Sequence, residues 1–233
     1  MNNDIICVKC GGRAAEEEKS LTLLSAETAA LSKRTPVIFV HGGGAAVSAL
    51  SRTLGLEPVF RDGIRLTSPE EMDVVDMVLG GKMNTALVRK LCAAGTRAVG
   101  ITGCDAATFT GRPISPGSQT GKITVCDPGL IRSLIDTGYL PVMASTSMTA
   151  DGTALNINAD EAALAVSAAV GASVLLFLSD IPGILKGGEV IRVLKASDAE
   201  KEIASGVISG GMIPKVRSSR DALEKGVGKV IIG

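Results

Sequence analysis

IICVKCGG, at residues 5–12, joins an apolar run to a pair of glycines. The same arrangement recurs at residues 37–44, where VIFVHGGG ends in three glycines. Short apolar runs predict buried strands, and glycines at strand ends let backbone N–H groups approach a ligand closely. A third segment, SGGMIPK at residues 209–215, predicts the start of a helix with a lysine one turn in. These loops together favour a polyphosphate site, and therefore phosphoryl transfer.

Strand and helix patterns alternate along the rest of the chain. One helix is predicted to begin at Ser68, with Pro69 in its first turn and Glu71 as a capping-box partner, and to extend towards Gly95. Repeated strand–helix–strand units predict an α/β fold whose mainly parallel sheet is covered on both faces. The strands are predicted at residues 4–9, 36–40, 97–101, 140–145, 173–178 and 228–232.

Further local signals complete the prediction. Asp127-Pro128 opens a helix, Asp160 is expected to cap the helix that ends at Gly171, and residues 197–200 form a second capping box. Residues 109–125 and the turn at 150–152 predict hairpins. Because no linker or repeat divides the chain, we expect a single domain over residues 1–233.

Composition excludes several classes of protein. Lysine plus arginine equals aspartate plus glutamate at 24 each, so no net field attracts nucleic acid. Four phenylalanines and one tyrosine provide little surface for base stacking. No apolar run approaches the ~18 residues of a membrane helix, and the first residues lack the pattern of a signal peptide. We therefore expect a cytoplasmic protein that binds neither nucleic acid nor membrane.

The cysteines do not predict a metal site. The chain has five scattered cysteines and one histidine, which suits reduced thiols. Cys7 and Cys10 stand three apart on a predicted strand and should point to opposite faces. Two nucleotide-binding patterns also fail: the chain has no P-loop motif, and Val47 stands where a dinucleotide loop beginning at Gly42 needs its third glycine.

Each candidate residue also has a plainer interpretation. Lys9 and Lys215 could be solvated lysines, and Arg65 a surface arginine rather than a clamp for a carboxylate. His41 is interpreted as structural or adjacent to a ligand, not as a general base. The segment 156–160, with its amides and carboxylate, could orient lysines and substrate or simply start a helix. Asp180 could face a ligand or begin a turn.

The motifs occur together in a recognisable order. The chain resembles the amino acid kinase family in six segments, and the Arg65 segment and the asparagine-rich turn favour its N-acetylglutamate-phosphorylating branch over aspartokinase, carbamate kinase or uridylate kinase. The segments are residues 9–12, 40–44, 63–67, 156–160, 178–183 and 210–215. The resemblance implies an open three-layer αβα sandwich, with a lobe for the amino acid and the dimer contact at 1–170 and a nucleotide lobe at 171–233.

The resemblance also implies an activity: phosphorylation of the side-chain carboxylate of N-acetyl-L-glutamate by ATP, in arginine biosynthesis, with Mg²⁺ carried by the nucleotide, in a homodimer. Lys9 and Lys215 would hold phosphoryl oxygens, and Asp160 would organise the two lysines. Arg65 and Asn156 would bind the amino acid. The remaining implied residues are Gly43 and Gly44 at the substrate and the transferred group, and Gly11, Gly12, Asp180, Gly210 and Gly211 at the phosphates and nucleotide.

Cys104 departs from the family pattern, because many relatives carry a lysine between the glycine and aspartate of this segment. Arginine-inhibited relatives have an extra N-terminal helix, so three residues ahead of the first strand predict a dimer that arginine does not inhibit.

Two rivals stay open: a kinase for carrier-linked aminoadipate, and a non-catalytic sensor on the same fold. A carboxylate acceptor is already ionised at neutral pH, which fits a site without a general base.

Overall fold

The computed structural model describes residues 4–11, 17–61, 63–179, 181–210 and 212–233. Its strands are β1 (Ile6–Cys10), β2 (Val37–His41), β3 (Phe60–Arg61), β4 (Ile64–Arg65), β5 (Ala98–Ile101), β6 (Phe109–Pro113), β7 (Thr120–Cys126), β8 (Leu140–Ala144), β9 (Thr146–Met148), β10 (Ala154–Ile157), β11 (Val174–Leu178), β12 (Leu185–Lys186), β13 (Glu189–Val190) and β14 (Lys229–Ile232). Its α-helices are α1 (Glu18–Ser32), α2 (Gly44–Thr53), α3 (Pro69–Val75), α4 (Asn84–Ala93), α5 (Gly129–Asp136), α6 (Ala159–Val170), α7 (Ala199–Ala204) and α8 (Met212–Glu224).

The central sheet contains six strands in the order β14-β11-β1-β2-β8-β5. Every neighbouring pair in it is parallel. These are the six strands predicted from the sequence. Strands β2 and β8 are buried along their whole length, as expected for parallel strands covered on both faces.

Helices cover both faces of this sheet and make three layers. Cys7 packs on one face with residues of α5, α6 and α8. Val8 and Cys10 pack on the other face with residues of α1, α2, α3 and α4. The α/β sandwich is therefore confirmed, and the two cysteines lie on opposite faces, as predicted. None of the helices in the described ranges has the length and apolar character that crossing a bilayer requires.

Both predicted hairpins are present. Strands β6 and β7 pair antiparallel, as do β9 and β10. The two hairpins also pair with each other, β10 with β7 and β6 with β9, so that the four strands close into a small barrel. This barrel supplies part of the candidate site. Asn156 on β10 and Thr120 on β7 pair in register, and both line the cleft described below.

The helix predicted after Ser68 extends from Pro69 to Ala93, but its middle, Asp76–Met83, is π-helical. The Ser68 hydroxyl accepts a hydrogen bond from the Glu71 N–H at 3.2 Å, which confirms the N-cap. Glu71, however, does not complete a capping box, because its carboxylate accepts a hydrogen bond from the Arg65 side chain.

Two further cap predictions were wrong. Asn158, not Asp160, caps α6, because the Asn158 backbone is still extended and its Oδ1 accepts hydrogen bonds from the N–H groups of Asp160 and Glu161. Asp160 lies inside the first turn, and its carboxylate faces the lysines instead. Ser197 lies within a short 3₁₀ turn, and Asp198 precedes α7 without a side-chain cap. Gly171 ends α6 with φ of 62°, as predicted.

Candidate active site

A cleft of about 680 Å³ opens beyond the carboxyl ends of β1 and β2. Such an edge of a parallel sheet is where α/β proteins bind ligands, and the volume is within the usual range for ligand pockets. The predicted site residues that line it are Lys9, Gly11, Gly43, Gly44, Arg65, Asn156 and Asp160. A smaller cavity of about 230 Å³ near α8 and β14 is lined by none of the predicted site residues.

Lys9 is a buried cation at the end of β1. It shares a sheet face with Cys7, because alternate residues of a strand point the same way, and α6 packs against that face. The Lys9 ammonium lies 2.7 Å from Asp160 Oδ1, and only 11% of its side chain is exposed. A Cβ at position 11 would collide with the Lys9 ammonium and displace it. Lys9 is therefore not a solvated lysine.

Lys215 approaches the same carboxylate from the first turn of α8. Its Nζ lies 3.8 Å from Asp160 Oδ2 and 5.3 Å from the centre of the Phe177 ring. Phe177 is also the residue of β11 that pairs in register with Lys9, so the same residue is a neighbour of both lysines. The ring face adds a cation–π attraction. Two ammonium groups thus share one carboxylate, and this corner of the site has a net positive charge that suits a phosphoryl group.

The glycines after β2 bring backbone to the cleft. Gly43 precedes α2, and a Cβ there would meet Leu79 Cδ2 at 2.9 Å and would collide with Met83 Sδ. A Cβ at Gly42 would lie 3.1 Å from that of Ala159, at the start of α6. The N-termini of α2 and α6 therefore meet at this edge, where the positive ends of the two helix dipoles favour an anion.

Arg65 is buried, not a surface arginine, with only 8% of the residue exposed. Its Nη1 lies 2.5 Å from Glu71 Oε1, and its Nη2 donates to the Gly44 carbonyl at 2.8 Å and to the Ser48 hydroxyl at 2.5 Å. The Phe60 ring lies 4.7 Å from the guanidinium carbon. The guanidinium group is thus fixed at the wall of the cleft.

Asn156 is linked to the Arg65 segment through two threonines. Its Nδ2 donates to Thr67 Oγ1 at 2.9 Å. The Thr120 hydroxyl accepts from the Thr67 N–H at 2.8 Å and donates to the Arg65 carbonyl at 2.5 Å. This network joins the barrel to the segment before α3 and orients Asn156 in the cleft.

His41 is fully buried and acts as a structural residue. Its Nδ1–H donates to the Gly42 carbonyl at 2.9 Å, so Nε2 is the nitrogen that accepts from Asn84 Nδ2 at 3.1 Å. Asn84 also donates to the Val142 carbonyl at 2.9 Å. Burial lowers the pKa of His41 to about 4. A neutral ring with both nitrogens occupied fits the interpretation that it is not a general base.

The remaining predicted phosphate and nucleotide residues either lie outside the described residues or do not line the cleft. Gly12, Asp180 and Gly211 lie outside the described residues. Gly210 has φ of 55° just before α8 and does not line the cleft. Cys104 is exposed next to a short 3₁₀ turn, Asp105–Ala107, and does not line the cleft either.

Sequence reasoning missed four polar residues around Arg65 and Asn156: Ser48, Thr67, Glu71 and Thr120. It also missed Glu161, whose Oε1 accepts a hydrogen bond from the Ile123 N–H at 2.7 Å and whose pKa is raised by burial. A capping pattern marked Glu71, but only long-range packing gives it a different partner.

Comparison with known proteins agrees with this geometry. The profile of the amino acid kinase family matches residues 4–233. Acetylglutamate kinase of Chloroflexus aurantiacus is 38% identical over 234 residues, covering 98% of this chain and 91% of that protein. The Geobacillus kaustophilus enzyme of the same name is 37% identical over 229 residues, covering 97% and 88%.

A solved structure has the same fold over almost the whole chain. The crystal structure of smu.665 from Streptococcus mutans UA159 aligns with a TM-score of 0.86 at 27% identity, over 99% of this chain and 95% of that one. With a family match over nearly all its residues and relatives identical at more than a third of positions, this chain belongs to the amino acid kinase family.

Proposed function

We propose that the protein transfers the γ-phosphoryl group of ATP to the side-chain carboxylate of N-acetyl-L-glutamate, as an acetylglutamate kinase of arginine biosynthesis. The observation that carries the proposal is the pair of ammonium groups, Lys9 and Lys215, that contact Asp160, which lines the cleft together with Lys9 and Arg65. The names of the relatives support the same acceptor.

The chemistry follows from the charges. An oxygen of the ionised acceptor carboxylate forms a bond to the γ-phosphorus, the bond from that phosphorus to the β–γ bridging oxygen breaks, and ADP leaves with the electron pair. No proton has to be removed, because a carboxyl of pKa about 4.3 is ionised at neutral pH. Catalysis therefore depends on alignment and on neutralising charge between two anions.

Each part of the site has a proposed role in that step. Lys9 and Lys215 neutralise the phosphoryl oxygens, and Asp160 keeps their Nζ atoms in place. Backbone N–H groups of Gly11, Gly43 and Gly44 add donors that need no reorganisation. Arg65 and Asn156 bind the acylated amino acid. For Gly12, Asp180, Gly210 and Gly211 the predicted contacts with phosphates and nucleotide stay proposals.

Membership of a kinase family implies ATP as the phosphoryl donor, and we propose that Mg²⁺ arrives with it. Asp160 already faces two ammonium groups. No group of three or more histidine, cysteine, aspartate or glutamate side chains suited to a metal occurs in the part of the chain that the structure describes. Phosphate oxygens would thus be the main ligands, and the metal would neutralise further charge. We also propose that the protein is a cytoplasmic homodimer, with a lobe for the amino acid and the dimer contact at 1–170 and a nucleotide lobe at 171–233.

An acceptor survey with coupled detection of ADP release tests this function. The panel is N-acetylglutamate, glutamate, aspartate, carbamate and UMP, each with Mg-ATP. We expect turnover with N-acetylglutamate and far lower kcat/KM with free glutamate, because glutamate carries a charged amino group in place of the acetamido group. Equal kcat/KM for these two acceptors would contradict the assignment.

The Arg65→Ala variant tests the proposed role of this residue in binding the acceptor. The variant should raise KM for the amino acid and change kcat little, because Arg65 is proposed to bind a carboxylate that does not react. A lower kcat with unchanged KM would show that the proposed division of roles is wrong.

A further inference from the structure

Glu71 places a buried negative charge beside the arginine of the cleft. Only 4% of Glu71 and 8% of Arg65 is exposed, and Arg65 Nη1 lies 2.5 Å from Glu71 Oε1. The same Oε1 accepts a hydrogen bond from the Ser51 hydroxyl at 3.2 Å. Two charges this far from water are stable only when they are paired and hydrogen-bonded.

The carboxylate lies behind the arginine rather than in the cleft. Arg65 and Ser48 line the cleft, whereas Glu71 and Ser51 do not. Glu71 comes from α3 and Ser51 from α2, so the two helices hold the guanidinium group from its buried side. A ligand in the cleft would meet Arg65 and not Glu71.

The hydrogen bonds also limit how Arg65 can meet a ligand. Contacts with Glu71, the Gly44 carbonyl and the Ser48 hydroxyl use three N–H donors of the five in a guanidinium group. They fix the plane of the group before a ligand arrives. Fixing a binding group in advance lowers the entropy that is lost on binding.

From this geometry we propose that Glu71 is a positioning residue for acceptor binding: it holds Arg65 in the orientation that receives the non-reacting carboxylate of the acylated amino acid. The inference rests on the proposed function. It means that KM for the acceptor depends on a residue that touches neither substrate. The reacting groups, and therefore kcat, do not depend on it.

Steady-state kinetics of Glu71→Ala and Glu71→Gln test this role. Glu71→Ala should raise KM for N-acetylglutamate about ten- to a hundredfold, the range for losing one hydrogen bond to a charged group. KM for ATP and kcat should change less than about twofold. Glu71→Gln keeps an oxygen acceptor but loses the negative charge beside the buried guanidinium group, so it should recover part of the loss and still leave KM measurably above that of the wild type. Glu70→Gln is the matched control, because Glu70 stands next to it in the same helical turn but is exposed, and it should leave KM unchanged.

A double-mutant cycle separates positioning from general structural damage. In an Arg65→Ala background, Glu71→Ala should add no further increase in KM, since the group that it positions is absent. An additional increase of similar size in that background would overturn the proposal, as would an unchanged KM in the single variant of an active enzyme. In both cases the proposed function would stand. A wild-type protein that does not phosphorylate N-acetylglutamate would instead overturn the proposed function and this inference with it.

If Glu71→Ala does not fold, Glu71→Gln carries the same test. In that case a measurable rise in acceptor KM, absent in the Arg65→Ala background, supports positioning, and an unchanged KM overturns it. Thermal unfolding of each variant identifies a protein that has not folded.

Discussion

Asp160 contacts the ammonium groups of Lys9 and Lys215, and each ammonium group is proposed to neutralise charge on the transferred phosphoryl group. Lys9→Met or Lys215→Met removes one positive charge at the transferred group while keeping much of the side-chain volume. We expect kcat to fall by about 10²–10³, the usual effect of losing one charge-stabilising donor. Initial rates at saturating N-acetylglutamate and Mg-ATP measure the change.

Lys186→Met is the control for those variants. Lys186 is an exposed lysine whose Nζ lies 2.9 Å from Glu202 Oε1, and exposed ion pairs contribute little to stability. It should leave kcat unchanged. If Lys9→Met retained full kcat, the proposed role of the ammonium pair would be wrong.

His41 makes the stability of the protein depend on pH. Its pKa is about 6.5 in an unfolded chain and about 4 when buried, so protonation favours unfolding. The stabilisation is complete above about pH 6.5 and is lost as pH falls towards 4, by up to about 3 kcal/mol. Urea unfolding between pH 8 and pH 5, where most exposed carboxylates stay ionised, measures this loss.

His41→Gln provides the comparison, because no other histidine is present in the chain. The variant should be less stable at pH 8 but should lose less free energy of unfolding between pH 6.5 and pH 5 than the wild type. Equal slopes in the two proteins would show that His41 is not the titrating group.

Local sequence identified several polar residues of the site but missed Glu71, the partner of Arg65. Lys9, Arg65, Asn156 and Asp160 were candidates because each follows or precedes a predicted element, and the structure brings all of them to one cleft. The Arg65–Glu71 pair was missed, because a capping box and a buried ion pair need the same glutamate in the same turn. Which one forms depends on whether an arginine from β4 reaches the helix.

At the scale of elements, the helix from Pro69 to Ala93 shows a similar limit. Its start, its length and its apolar face follow from capping and periodicity. The π-helical segment Asp76–Met83 does not, because π-helical turns are rare insertions within α-helices, so a helical pattern of this length predicts an unbroken α-helix. The segment lies against the site: Leu79 and Met83 are the residues that a side chain at Gly43 would strike.

Gly81 in that segment offers a test of helix stability. A Cβ at Gly81 would meet no atom within 4 Å and its φ lies outside the left-handed region, and the residue is exposed. Gly81→Ala should raise the free energy of unfolding by about 0.5–1 kcal/mol, because alanine reduces the entropy of the unfolded chain. Urea unfolding of the purified variant measures the gain.

Gly43→Ala is the matched contrast, since its Cβ would lie 2.9 Å from Leu79 Cδ2. It should lower the free energy of unfolding by about 1–3 kcal/mol, the usual cost of overpacking. A Gly81→Ala variant that was destabilised to a similar extent would indicate that the π-helical segment itself requires glycine.

For the whole molecule, sequence predicted the strands but not their order. Periodicity and glycine turns locate each strand, since both are local properties. The order β14-β11-β1-β2-β8-β5 depends on pairing between distant segments, such as Ile6 with Val174. Buried parallel strands are apolar on both faces, so their side chains carry little information about which neighbour they meet.

That order makes β1 an internal strand, and Cys7 reports on it. Cys7 is fully buried, and burial raises the pKa of its thiol to about 12. β1 pairs with β11 on one side and β2 on the other, and the Cys7 side chain packs beneath α6 on one face of the sheet, so the thiol reaches solvent only when α6 leaves this face or the sheet itself opens. We therefore expect Cys7 to react with iodoacetamide only when the whole protein unfolds.

Pulsed alkylation across a urea series, read by peptide mass spectrometry, tests this expectation against the transition seen by circular dichroism. Cys92 is the internal control, because it is exposed near the end of α4 and should be alkylated at every urea concentration. The midpoint for Cys7 should coincide with the global midpoint. Alkylation of Cys7 well below that midpoint would mean that α6 or β1 opens separately, and this face of the central sheet would then not unfold in one cooperative unit with the rest of the protein.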